Sequence, residues 1–175
     1  MIEGTLVNLR APETGDLERN TRWYNDRDVT RFLSVRYEIS STEKGWLRDL
    51  PSKPMSYDEV FFAIDTKDGV HIGNVNLSGV VPEDRACTLG ITIGEKAYWS
   101  RGYGTDAVRT VLRFAFDEMN LNRVQLGVLA YNHRAYAAYK RAGFVEEVRQ
   151  RQARYAHGAY HDSIVMSVLR EEWQP

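Results

Sequence analysis

Residues 97–144 read AYWSRGYGTDAVRTVLRFAFDEMNLNRVQLGVLAYNHRAYAAYKRAGF, and the fold turns on this stretch. Gly102 and Gly104 punctuate a loop over 100–105 (SRGYGT). Val108, Val111, Leu112, Ala115 and Met119 then recur at three- and four-residue steps, which predicts one face of a helix over 104–120. Val124, Leu126 and Val128 alternate, so 123–129 reads as a strand with one buried face. Asn132 stands where a helix N-cap is expected and Gly143 where a glycine closes a helix C-terminus, which predicts a second helix over 133–142. Ala135, Ala138, Tyr139 and Ala142 share one of its faces, and Tyr139 is the only polar group on that stripe.

A glycine loop opening a helix suits an anion. The free N–H groups of the first turn and the helix dipole both favour negative charge there. Arg101 adds a fixed cation with several donors. A tight strand-to-helix turn with no ligand fits the same fragment. No Gly-Lys-Ser/Thr follows at P-loop spacing, and no third glycine or later ribose-binding acid completes a dinucleotide fingerprint, so nucleoside triphosphates and nicotinamide cofactors are disfavoured.

Outward from this stretch, strands are predicted over 5–9, 60–66, 71–80 and 87–93, with helices within 13–33 and over 42–49 and a terminal hairpin of 150–155 with 164–169. Strands and helices in this order predict an α/β layer fold with a largely antiparallel front half. The chain has 175 residues and no linker or repeat, which predicts a single domain over 1–175. A formal net charge of −1 gives no electrostatic reason to bind nucleic acid or an anionic membrane. No apolar run approaches the ~20 residues of a membrane helix, and the N-terminus lacks a secretory pattern. Cys87 is the only cysteine, which excludes an internal disulfide and fits a reducing, cytoplasmic compartment. Cys87 in its strand-like run reads as a small buried hydrophobe. His157 and His161 flank Gly158 in what reads as a hairpin turn, so no metal site is expected.

WSRGYGTDA followed by YNHRAYAAYKRAGF resembles the GNAT superfamily of acetyl-CoA-dependent N-acetyltransferases. The branch it is most similar to comprises the ribosomal-protein N-terminal acetyltransferases and their relatives that modify polyamines and other small amines. The likeness includes Leu9, Arg10, Pro12, Asp16, Trp23 and Asn25 near the start, and Tyr155, Gly158, Asp162, Met166 and Trp173 near the end. It is weakest over 34–53.

The resemblance implies a mixed, mostly antiparallel central sheet flanked by helices, with a splayed strand pair holding acetyl-CoA. It gives Arg101, Gly102, Tyr103, Gly104 and Thr105 to the cofactor's phosphates, and Ile91, Thr92 and Ile93 to its pantetheine arm. Trp99 occupies the first position of the family's usual Gln/Arg-x-x-Gly-x-Gly/Ala loop, which turns the basic role to Arg101. Asn132 is implied as a pantetheine contact, a role compatible with a plain N-cap. Tyr139 matches the family's general acid, and a phenol is a reasonable proton donor to a departing thiolate.

No general base is assigned, because the family's glutamate is missing from 126–129; Glu83, Asp84 and Glu95 lie near the right strand but on turns. The acceptor is expected to be a primary amine, either a protein N-terminus or a small molecule. Trp23, Tyr24, Trp46, Tyr155 and Tyr160, with Asp26, Asp28, Glu38 and Asp162, are candidates for meeting a cationic amine. The family often forms dimers, so a homodimer is possible. The alternative function is a CoA-binding module without catalysis.

Overall fold

The computed structural model describes residues 1–33, 49 and 56–174. Eight strands, β1 (Ile2–Glu3), β2 (Val7–Arg10), β3 (Glu59–Thr66), β4 (His71–Val81), β5 (Ala86–Ile93), β6 (Arg123–Leu129), β7 (Val145–Ala156) and β8 (Ala159–Leu169), form one sheet in the order β1-β2-β3-β4-β5-β6-β8-β7. All neighbours run antiparallel except β5 and β6. Helices α1 (Leu17–Tyr24), α2 (Arg27–Thr30), α3 (Tyr103–Arg113) and α4 (His133–Arg141) cover it. The mixed, mostly antiparallel architecture agrees with expectation.

The β4–β5 register sorts side chains onto the two faces, because neighbours along a strand point opposite ways. Val75 pairs Ile91 and Leu77 pairs Leu89, on the face where Val108, Val111 and Leu112 of α3 complete the buried core. Asn74 pairs Thr92 and Asn76 pairs Gly90, on the opposite face. There α1 docks: Asn74 Nδ2 donates to Asn20 Oδ1 at 2.7 Å, and Tyr24 hydrogen-bonds Thr92. The two helical layers thus have separate business, α3 and α4 on one side and α1 and α2 on the other.

The helix from the glycine loop does not run uninterrupted to 120. A π turn over Phe114–Glu118 follows α3, closed by Met119 N–H to the Phe114 carbonyl at 3.1 Å. Consecutive Phe114, Ala115 and Phe116 all pack on the core, and the wider turn accommodates them.

The end of α4 follows the sequence closely. Gly143 takes φ +102°, Phe144 N–H donates to the Tyr139 carbonyl at 3.0 Å and Gly143 N–H to Lys140 at 3.1 Å. This is a Schellman close, and the Phe144 and Tyr139 rings pack at 5.9 Å beside it. The terminal hairpin is longer than expected because both strands continue to the two-residue turn His157-Gly158. His161 Nε2 lies 3.0 Å from the Ala156 carbonyl. The short β1 carried no periodic signal. Of the helix expected over 42–49, all but the exposed, helical Asp49 lies outside the described residues, as do Trp46 and Glu38.

Candidate active site

β5 and β6 pair only at Ala86↔Arg123, Cys87↔Val124 and Thr88↔Gln125, then diverge. Leu89–Ile93 therefore presents a backbone edge that β6 does not satisfy, and such edges seek partners. The gap opens into a cavity of about 560 Å³. On the α3 side Leu89, Val108, Ala135, Ala138 and Tyr139 line it. On the α1 side the lining is Tyr24, Asn74, Asn76, Leu129, Ser163 and Arg154. The cavity is thus a passage through the sheet.

At the α3 end, Gly102 adopts φ +90° as the N-cap residue, a conformation that favours glycine. Its carbonyl accepts from Asp106 N–H at 3.0 Å, so the turn aims the remaining first-turn N–H groups outward. Gly102, Gly104 and Thr105 line the cavity. A methyl on Gly104 would meet only Ile93, at 3.6 Å, so the space beyond it is open to a ligand.

Arg101 and Tyr103 lie outside the lining. The Arg101 guanidinium donates to the Ala97 carbonyl at 3.2 Å, and Tyr103 packs edge-on to Tyr98 at 5.0 Å. From α4 the cavity is lined by two cations, Arg141 and Arg134, the latter in the first turn and stacked 3.7 Å over the Trp99 ring. Burial, and then the neighbouring Arg31, lower the pKa of Arg134, which is the signature of a guanidinium short of anionic company. Trp99 itself donates from Nε1 to the Ile93 carbonyl at 2.7 Å, tying the loop to the end of β5. Sequence reading passed over Arg134 because one arginine among several on a polar helix turn carries no pattern.

Ile91, Thr92 and Ile93 line the cavity from β5. Asn132 caps α4, its Oδ1 accepting from Ala135 N–H at 3.3 Å, and also faces the cavity. Tyr139 is 9 % exposed, and no described residue hydrogen-bonds its hydroxyl. Burial pushes its phenol up to about 12, so it stays protonated across the physiological range. Cys87 is buried in the core with its thiol likewise raised to about 12 by burial, an inert setting.

The open cradle, the unpaired β5 edge and the narrow passage fit acetyl-CoA, whose diphosphate, amide-bearing arm and thioester need those three features in that order. No group of three or more His, Cys, Asp or Glu side chains able to hold a metal occurs among the described residues.

The aromatics and acids expected to meet the acceptor are mostly engaged elsewhere. Trp23 is buried against His71, ring centroids 4.9 Å apart, and under Gly94. Gly94 is there because a methyl would overlap the indole, a reason the sequence did not reveal. Asp26 and Asp28 hold Lys96 at 2.7 and 3.1 Å, while Asp162 accepts from Gln152 N–H and lies 3.7 Å from Arg149. Glu95 pairs with Arg22 at 2.8 Å, and Glu83 and Asp84 are exposed. Tyr155 and Tyr160 pack on each other at 5.1 Å on the open hairpin. Only Tyr24 of this group lines the cavity among the described residues.

Behind Asn74 lies a buried polar chain. His71 Nε2 lies 3.2 Å from Asn74 Oδ1 and 2.9 Å from the Gly73 carbonyl, while Nδ1 faces Asp16 at 3.1 Å. Arg10 grips both Asp16 oxygens, at 2.7 and 2.8 Å, and reaches Asp65 at 2.7 Å. Burial opposes ionisation of Asp16, yet Arg10, His71 and the Glu13 N–H together hold its carboxyl well below the ordinary range.

Residues 7–145 match the model of the acetyltransferase (GNAT) domain family. The chain is 33% identical over 107 residues to YdaF of Bacillus subtilis (strain 168), provisionally named a ribosomal N-acetyltransferase; the match spans 61% of this chain and 58% of that protein. It is 26% identical to the spermidine N(1)-acetyltransferase of Vibrio cholerae serotype O1 (strain ATCC 39315 / El Tor Inaba N16961) over 95% of both chains. The crystal structure of spermidine N-acetyltransferase from Vibrio cholerae, in complex with CoA and spermine, superposes with a TM-score of 0.84 at 24% identity, covering 96% of this chain and 98% of that one. No helix among the described residues is long and apolar enough to cross a membrane. The chain therefore belongs to the GNAT acetyltransferase family, as an acetyl-CoA-dependent N-acetyltransferase whose acetyl group goes to an amine.

Proposed function

We propose that the chain acts as a single catalytic domain over residues 1–175 and that the amine attacks the thioester directly while both substrates occupy the passage between β5 and β6. The observation that carries this is the passage itself, one cavity lined by the glycine loop on one face of the sheet and by Tyr24, Asn74 and Arg154 on the other. Acetyl-CoA supplies an activated acetyl group.

The residues divide the remaining work. The first-turn N–H groups behind Gly102, Gly104 and Thr105, with Arg134 across the mouth, hold the diphosphate. The free edge of Ile91–Ile93 and the Asn132 carboxamide orient the pantetheine amides, and a β5 backbone N–H meets the negative charge that develops on the carbonyl oxygen. Arg101 and Tyr103 serve through their place in the loop, with Arg101 able to swing from Ala97 to a phosphate.

Tyr139 donates its proton to the departing sulfur. A phenol raised to about 12 is a weak acid in water, but burial in the passage raises the proton affinity of the departing thiolate as well. Water within the Asn74, Asn76 and Thr92 group takes the proton from the amine. The lone buried thiol, Cys87, suits a cytoplasmic setting.

Thiol release from acetyl-CoA against two acceptor pools tests this reading. One pool holds short peptides with free α-amines and the other holds small amines and amino acids. Turnover with either pool is expected. Tight acetyl-CoA binding with no turnover in both would favour the non-catalytic CoA-binding module.

A further inference from the structure

Resting on acetyl transfer through this passage, we infer that the acceptor is an amine carrying a carboxylate near its nucleophilic nitrogen, bound through Arg154.

The α1 side of the passage is where an acceptor must enter, since the other end holds the cofactor. Its floor is fixed by register: Asn74 and Thr92 pair on β4 and β5, and Leu129, Ser163 and Gln150 pair across β6, β8 and β7. These positions offer two carboxamides and two hydroxyls. Arg154 enters from β7 just past the register irregularity at Gln150/Arg154. It lines the cavity, with Nη2 donating to the Leu33 carbonyl at 3.3 Å, and no carboxylate among the described residues pairs with it. One carbonyl fixes the side chain while most of its five donors remain for a ligand. A planar fork held by one edge in a partly desolvated chamber matches a carboxylate in two-pronged fashion.

The charge distribution around the chamber agrees. Among the described residues, Asp26 and Asp28 pair with Lys96, and Asp162 accepts from Gln152 N–H and lies 3.7 Å from Arg149. A linear polyamine would bring two or more ammonium groups to the Arg154 guanidinium, whereas an amino acid brings its own counter-charge. The shared chemistry of an amine beside a carboxylate has two sources, a free amino acid or a peptide N-terminus followed by an acidic residue.

Lysine and cadaverine form a clean probe, since they have the same carbon chain and two amines and differ by one carboxylate. Thiol release should favour lysine in kcat/KM by about 10–100-fold, the effect of one charge-assisted fork. Arg154→Gln should collapse that ratio toward one with the acetyl-CoA KM unmoved, and Arg154→Lys should restore part of it. Peptides beginning Ser-Glu and Ser-Lys, with amidated C-termini, separate the sources: turnover confined to Ser-Glu would assign the acidic peptide. Cadaverine or spermidine turned over as well as lysine and the acidic peptide would overturn the inference, as would an equal loss on lysine and cadaverine in Arg154→Gln. The wild-type ratios stand even if a variant fails to fold. Silence toward every amine with acetyl-CoA bound would instead remove acetyl transfer itself, and the inference with it.

Discussion

Replacing Tyr139 with Phe removes one oxygen from the passage and leaves the rest of α4 in place. No described residue hydrogen-bonds that hydroxyl, and the ring keeps its contact with Phe144 at 5.9 Å. The Schellman close depends on backbone groups, including the Tyr139 carbonyl, which the substitution retains. Folding stability should therefore stay within about 0.5 kcal/mol of the parent, because an unpaired buried hydroxyl contributes little. Activity should not survive as well. A positioned proton donor contributes about 10²–10⁴ in rate, so kcat should fall by that factor, or about 2.7–5.5 kcal/mol in barrier. The acetyl-CoA KM should shift by less than about threefold, since the proton moves only as the thiolate leaves. Because burial pushes the phenol up to about 12, the parent's rate should show no alkaline loss from this group below about pH 10. The assay is initial thiol release with a saturating acceptor, run beside a thermal melt and a titration with CoA. Wild-type kcat in the Phe variant would refute the assignment. So would a loss of kcat matched by equal losses in CoA affinity and melting temperature, which would make Tyr139 a packing residue.

Gly94→Ala forces a methyl into the Trp23 indole, and overpacking of that kind costs about 1–3 kcal/mol; an unchanged melting temperature would show that Trp23 is not fixed there. Asp106 accepts from the N–H groups of Thr5, Leu6 and Val7 at 3.1, 2.7 and 3.0 Å, tying β1–β2 to α3. Asp106→Ala should cost about 1–3 kcal/mol in urea denaturation, with the amides of 5–7 exchanging faster; normal protection there would count against the tie. Gly102→Ala strains φ +90° by about 1–2 kcal/mol and should weaken acetyl-CoA binding more than it lowers stability. Equal acetyl-CoA affinity would remove the loop from the cradle.

Acid should destabilise the fold through Asp16 and Glu147, whose folded pKa values lie below their unfolded ones, the latter lowered from 4.5 to about 2 by Arg123 and Ser167. Their contribution is whole above about pH 4.5 and drains as pH falls toward 2, with the partly exposed Glu147 giving no more than about 1 kcal/mol. A flat urea midpoint between about pH 6 and 3 would contradict this.

The α3–β6–α4 core could be read in advance because each of its signals is local. The Asn132 cap, the Gly143 close and the alternation of Val124, Leu126 and Val128 need no distant partner to be interpreted. The α1 side of the passage could not, because it is made by register. Asn74 faces Thr92 only through the β4–β5 pairing, and Arg154 reaches Leu33 across 121 positions of chain. Asp26, Asp28 and Asp162 suit a cationic amine by type, but Lys96 and Arg149 claim them in space. The buried group of Arg10, Asp16 and His71 escaped for the same reason, since an ion network has no period.

The opening between β5 and β6 also needs a physical cause, because each backbone bond added beyond Thr88↔Gln125 would be worth about 0.5–1.5 kcal/mol. Two tryptophans hold β5 away. Trp99 takes the Ile93 carbonyl with its indole N–H, so the strand's last acceptor is bound to the loop and not to β6. Trp23 fills the space under Gly94 from the opposite face. Arg134, projecting from the helix that follows β6, stacks on Trp99. These contacts tie the end of β5 to the loop and to α1 while β6 pairs elsewhere, and the β5 edge left unpaired offers its backbone groups to a ligand.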